Sequence, residues 1–247
     1  MSVIEPTISV AKLVAERQSR AMVFERFGLD YCCQGGLPLD EACHRAGIDL
    51  FEMIGELAAS DARTPAPDDT DWNRASINEL VDHIVSVHHA YLVHALPDLA
   101  AVIDKVDQEH GRQRPELAEI RKVFSDLHVE LETHMAKEEH VLFPYCRRLE
   151  SEFGTPRLHG RSIAQPVRIM EDDHLRVNIA LDRLSELTDG FASPHTSSAV
   201  WDHMLMLLLA LEVDLHLHIS EENNLLFPRA LELESKLAEP VGAAFRS

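Results

Sequence analysis

Apolar residues recur at helical spacing along almost the whole chain, and no strand-like alternation competes with them. Val10, Leu13, Val14, Ala21, Phe24 and Phe27 predict a helix over 10–27 that stops at Gly28. The turn-rich DYCCQGG (30–36) follows, then a short helix from about Pro38 to Gly47. A further helix begins with Asp49 as N-cap and Glu52 at its third position. Residues 60–72, SDARTPAPDDTDW, hold two prolines and four aspartates without apolar periodicity, which marks a boundary. Beyond it the pattern predicts four long helices at roughly 75–106, 115–152, 165–189 and 197–236. Short linkers between amphipathic helices favour antiparallel neighbours, so the expectation is an all-α protein: an up-down-up-down four-helix bundle behind a small helical domain. The expected division is 1–60 for the small domain, 61–72 for a linker and 73–247 for the bundle. Pro144 and Pro228 lie inside two of the long helices, where a missing N–H should kink or loosen them.

Within those helices HMAKEEHVLFP (134–144) and HISEENNLLFP (218–228) repeat one pattern: a His, a Glu four residues on, and Leu-Phe-Pro four after that. An acid precedes each His by four residues, Glu130 in one case and Asp214 in the other. Further upstream His89 and His174 each open a His-x6-Leu-x2-Leu pattern, and the offsets between the three matching positions are 85, 84 and 84. The repeated unit is therefore a helical hairpin carrying a His, then a His and a Glu.

His134 shares its helix face with Leu127, Leu131, Val141 and Leu142; His218 shares its face with Leu211, Leu215, Leu225 and Leu226. His174 and His89 lie on similar stripes. Burying Glu138 and Glu222 beside them without a cation would cost on the order of several kcal/mol each. Four imidazoles and two carboxylates suit two metal ions better than one zinc, and this donor set with open positions suits iron, then manganese. Glu130, Asp173 and Asp214 are candidates to orient the imidazoles. His88 adjoins His89, but seven residues on it meets Ala95 where His89 meets Leu96, so the repeat selects His89.

The chain has 247 residues, 45% of them hydrophobic and 26% charged, as in ordinary globular proteins. A net charge of −19 opposes binding to nucleic acid or anionic membrane. The apolar run 204–213 is short for a bilayer and the N-terminus lacks a secretory pattern, so a cytoplasmic location is expected. Cys32, Cys33, Cys43 and Cys146 are too few for a disulfide scaffold and are expected to be thiols.

The sequence resembles the hemerythrin-like di-iron proteins, and more narrowly the RIC family of iron–sulfur cluster repair proteins made under nitric oxide and oxidative stress. DYCCQGG resembles the family's two-Cys motif, HMAKEEHVLFP and HISEENNLLFP its ligand helices, and MEDDHLRV (170–177) the segment supplying a further His. The resemblance covers nearly the whole chain; Asp173 stands where such proteins can carry Glu. It implies His89, His134, Glu138, His174, His218 and Glu222 as ligands of two non-haem irons. Glu138 and Glu222 would bridge them, together with an oxo or hydroxo group. It further implies nitric oxide or O2 as small ligand, damaged iron–sulfur proteins and an unidentified electron donor as partners, and a redox or NO-linked role for Cys32 and Cys33. Two other readings stand beside repair: binding of NO or O2 that lowers or senses it without repair, and a structural protein with empty or zinc-filled sites.

Overall fold

The computed structural model describes residues 4–63, 70–151, 162–193 and 198–238. Residues 64–69 of the expected linker, residues 152–161 and residues 194–197 lie outside the described residues. Every regular element among the described residues is helical; the sole extended pairing there is an isolated bridge between Ser9 and Pro38. The chain forms two compact units, one from Met1–Asp82, Cys146–Ile163 and His216–Ser247, the other from His83–Tyr145 and Ala164–Leu215. These units cut across the long helices.

In the first unit the helix expected over 10–27 is broken. Helix α1 (Val10–Glu16) ends at Arg17, whose backbone is extended (φ −153°, ψ 104°), and a 3-10 turn (Gln18–Arg20) leads into α2 (Ala21–Phe27). The cause is Arg20, which the break turns inward. Its buried guanidinium donates to the Leu13 carbonyl at 3.0 Å and to Glu16 at 2.9 Å. It also grips Asp61 in bidentate fashion at 3.0 and 2.9 Å. A continuous helix would have aimed that charge elsewhere, and a buried guanidinium is tolerated only with such acceptors. Gly28 ends α2 with φ 65°, the left-handed conformation that glycine adopts without strain. Helix α3 (Leu39–Ala46) stops likewise at Gly47, and Asp49 caps α4 (Leu50–Arg63) by accepting from the Glu52 N–H at 2.9 Å.

A capping box between Ser76 and Glu79 opens α5 (Ile77–His83). Glu150 reinforces it by accepting from the Ile77 and Asn78 N–H groups, both at 2.9 Å. Glu234 performs the same service for Ile163, beside the start of α9 (Ala164–Leu187), at 3.0 and 3.2 Å. These two acids are 84 residues apart, so the duplication extends to the groups that cap each hairpin.

The second unit holds α6 (Ala90–His110), α7 (Glu116–Lys137), the whole of α9, and α10 (Ala199–Glu221) as far as Leu215. Helix α7 packs against α6 and α9. Ion pairs Glu119–Arg183, Glu130–Arg176 and Lys137–Asp173 run along the α7–α9 seam in opposite chain directions. His110 bonds Ser198 near the end of α6 and His88 bonds Asp214 near its start, so α6 and α10 are antiparallel too. Leu96, Leu99, Ile120, Leu127, Leu181 and Leu208 are among the side chains that fill the interior of this unit. Residues Ala199–Leu237 form a helix long and apolar enough, by length and composition, to cross a membrane; 44% of its most apolar window is buried. That helix carries buried His218 and Glu222, as a core helix with a polar task would.

Three π-helical turns interrupt the long helices, at Ile84–His89, Glu138–Leu142 and Glu222–Leu226. The last two run into Phe143-Pro144 and Phe227-Pro228, which open α8 (Phe143–Ser151) and α11 (Phe227–Ala238). A proline there removes the N–H that would have bonded one turn back, so the ladder slips to a wider register. Nothing in the proline pattern foretold the π turn at Ile84–His89.

Candidate metal centre

Four of the six residues singled out by the repeat meet in the second unit. His134 and Glu138 face each other one helical turn apart, with Nε2 3.1 Å from Oε1. His89 brings its Nε2 to 3.3 Å from the other oxygen of the same carboxylate. His174 places Nε2 3.2 Å from Nε2 of His134. One donor atom each of His134, Glu138 and His174 lies within 4.8 Å of the others. All four residues are buried, and Glu138 is 0% exposed.

Carboxylates on the far side of the rings fix what these atoms offer. His89 directs Nδ1 to Glu139 Oε1 at 2.8 Å, which makes Nδ1 the proton-bearing nitrogen and leaves a lone pair on Nε2. His134 directs Nδ1 to Asp173 Oδ2 at 3.5 Å. Burial alone would raise the Asp173 carboxyl, but the hydrogen bond and charge of Lys137, with help from His134, hold it below its ordinary 3.8. Asp173 therefore stays an anion that favours the same tautomer in His134. Imidazole lone pairs thus converge on a carboxylate neither of whose oxygens accepts a hydrogen bond. Such an array is self-repulsive unless a cation sits among the donors, and the donor set fits a hard or borderline transition metal.

The first unit holds the other two residues. His218 Nε2 lies 3.2 Å from Glu222 Oε1, and both side chains are buried. The geometry repeats that of His134 and Glu138, and in both turns the Glu is the first residue of a π segment. His89 closes the third π segment, so three of the six residues occupy π turns, a common device for aiming functional side chains.

The adjacent histidines divide their work: His89 meets Glu138, whereas His88 gives Nδ1 to Asp214 at 2.9 Å. Two of the acids expected to orient ligands do otherwise. Asp214 serves His88, and Glu130 accepts from Arg176 on α9 at 2.6 Å. Glu139 takes an orienting role that sequence reasoning missed. Its only signal was its place directly after Glu138, where a half-exposed carboxylate looks like an ordinary surface acid. Phe143, the aromatic of the first Leu-Phe-Pro, stacks over His89 at 5.7 Å between ring centroids.

Cys32 and Cys33 are thiols whose sulfurs lie 3.8 Å apart in a loop of the first unit. Asp30 organises that loop by accepting from the N–H groups of Cys32, Cys33 and Gln34. Cys43 and Cys146 are buried, and burial pushes the Cys43 thiol up.

A chain whose regular elements among the described residues are all helices, with buried His and Glu side chains gathered around π turns, is a cation-binding protein of the hemerythrin type, and residues 80–230 match the hemerythrin HHE cation binding domain. Residues 7–61 match the ScdA_N domain, a domain of unknown function (DUF542). The iron-sulfur cluster repair protein YtfE of Edwardsiella ictaluri (strain 93-146) is 35% identical over 210 residues, covering 85% of this chain and 90% of that one. Its counterpart in Enterobacter sp. (strain 638) is 32% identical over 222 residues, covering 90% and 96%. That of Escherichia coli O157:H7 is 32% identical over 209 residues, covering 85% and 90%. The chain belongs to the RIC family of iron–sulfur cluster repair proteins.

Proposed function

We propose that this protein repairs damaged iron–sulfur clusters in the cytoplasm under nitrosative or oxidative stress. The work would be done with two non-haem irons held by His89, His134, Glu138, His174, His218 and Glu222. Residues 73–247 form the cation-binding part in this reading, and residues 1–60 the thiol-bearing part, joined by 61–72. The observation that carries it is the buried Glu138 carboxylate, which accepts no hydrogen bond and faces the Nε2 atoms of His89 and His134 at 3.3 and 3.1 Å. The family match spans all six residues, the repair named for the relatives supplies the task, and the duplication supplies His218 and Glu222 as the second pair.

Ferrous ions in such a site would supply open coordination positions that take nitric oxide or O2. The chain's own residues do the rest. Glu139 and Asp173 hold the rings of His89 and His134 with Nε2 inward, and Phe143 shields His89 from water. Four imidazoles against two carboxylates bind ferrous iron less firmly than a thiolate-rich site, which suits a protein that gives iron up to a damaged cluster. Cys32 and Cys33 would relay electrons from a donor or take up NO or a cluster fragment, since soft thiolates match those species.

The test adds anaerobically reduced, iron-loaded protein to an enzyme whose iron–sulfur cluster has been damaged by nitric oxide. Recovery of cluster absorption and activity is expected. Tight NO binding without recovery would leave a scavenger or sensor in place of a repair protein. Fewer than about one iron per carefully prepared chain would overturn the dinuclear site itself.

A further inference from the structure

The two His-x3-Glu turns differ on the helix face that points away from their ligands. In the first, that face carries Glu132, Ala136 and His140, all exposed. In the second, the matching positions 84 residues on are His216, Ser220 and Asn224, and the two-cysteine loop lies over them. Ser220 Oγ donates to the Tyr31 carbonyl at 3.2 Å. The Asn224 amide donates to the carbonyls of Tyr31 at 3.3 Å and Cys32 at 3.0 Å. His216 Nδ1 and the Tyr31 hydroxyl share Glu25 Oε1 at 2.7 and 2.9 Å. Positions 216, 220 and 224 line one side of the helix, whereas 218 and 222 fall on the opposite side by helical spacing.

Asn224 is the pivot, because it lies in the same π turn as Glu222 and two residues from it. A π turn holds one residue more than the α register, so its amide and its ligand carboxylate are set by one local choice of hydrogen bonding. Whatever moves the Cys32 carbonyl moves Asn224, and the register that aims Glu222 follows.

We propose that Asn224, seconded by Ser220, is a positioning residue that couples the chemical state of Cys32 and Cys33 to the metal affinity of the His218–Glu222 turn. It rests on the metal-binding reading above and adds to it a line of communication between thiols and metal. Iron held by Glu222 fixes the π turn, and through Asn224 it orders the loop. Modification of a thiol, which displaces the Cys32 carbonyl, loosens Glu222. Linkage requires the two effects to have the same sign: a loop ordered by iron is one whose disturbance weakens iron binding.

The experiment uses the full chain, metal-free and anaerobically loaded with ferrous iron. Iodoacetamide alkylation of Cys32 and Cys33 is followed by mass spectrometry, and iron affinity before and after alkylation is read by chelator competition. Loading is expected to slow alkylation measurably, and alkylation to weaken iron binding by about five-fold or more, the range typical of coupled sites. Asn224→Ala and the milder Ser220→Ala and Asn224→Asp should move both factors toward one while the iron-to-chain ratio stays at two. His140→Ala, at the matching place in the first turn, should leave both factors unchanged. Equal alkylation rates with and without iron in the unaltered protein would overturn the coupling, as would full coupling in folded Asn224→Ala and Ser220→Ala. A chain that binds no iron would overturn the metal reading together with this one, and the iron-to-chain ratio tells the two failures apart.

Discussion

The turns His134–Glu138 and His218–Glu222 share one plan and live in different surroundings. In each, a buried His and a buried Glu one helical turn apart meet at 3.1 or 3.2 Å, and each Glu begins a π turn closed by Phe-Pro. The first turn keeps its outer face in solvent, whereas the second gives that face to the two-cysteine loop. A duplicated His-x3-Glu turn can therefore keep its buried pair fixed while the positions between the two diverge. Side chains on the opposite face of a helix are under no constraint from the buried pair.

The strongest way to break the comparison is to remove each carboxylate in turn. Glu138→Gln and Glu222→Gln should each cut iron from two per chain to below one. Each should also raise the thermal midpoint of the metal-free protein, because a buried carboxylate with no cation costs on the order of several kcal/mol. Loss of iron in only one of the two would show that the turns are unequal. Iron content likewise tells the adjacent histidines apart: His89→Leu should empty the site and His88→Leu should not, since His88 is engaged with Asp214.

Arg20→Ala addresses the covered face. Removing the buried guanidinium should cost about 1–3 kcal/mol in denaturant unfolding, since Asp61 keeps Arg17 at 3.5 Å. Hydrogen exchange should rise over 216–226 and stay unchanged over 132–142; a uniform rise would mean that the N-terminal helices do not selectively protect the second turn. Asp173→Asn is smaller in effect and confined to the first turn. Loss of an orienting carboxylate should weaken iron binding by about 10–100-fold. In the metal-free protein the Asp173 carboxyl lies below its ordinary 3.8, so its stabilisation is complete above that value and vanishes as pH falls through the lower folded value. Acid unfolding of Asp173→Asn should lack that part of the pH dependence. Least of all, Pro144→Ala and Pro228→Ala should each shift stability by less than about 1 kcal/mol. Backbone exchange would show whether either π turn reverts to α; reversion at one alone would show that only that turn depends on its proline.

Much of the architecture was open to sequence reading because helices are specified locally. Gly28, Gly47 and the Asp49 cap announced their helix ends in residue type alone. The same reading failed over 10–27, where apolar spacing ran straight through Arg17. The break there depends on Arg20 reaching Asp61, a partner 41 residues away. Glu150 and Glu234 went unmarked in the sequence although they stand at the repeat offset, because their capping of Ile77 and Ile163 needed the fold to bring the groups together. At the site, spacing put Asp214 and Glu130 beside the ligands and overlooked Glu139. Spacing along one helix says nothing about which ring on another helix an acid will meet.

By itself the sequence determined the helices, the duplicated hairpin and the six side chains that ride on its apolar stripes, because helical period and burial are properties of neighbouring residues. Only the tertiary structure decided which atoms face one another. It sent His89 to Glu138 and His88 to Asp214, set Glu139 and Asp173 behind the rings, and laid Tyr31 and Cys32 on Asn224. Those choices turn on distances of about 3 Å between residues far apart in the chain, over which hydrogen bonds are made or lost and which no local pattern encodes.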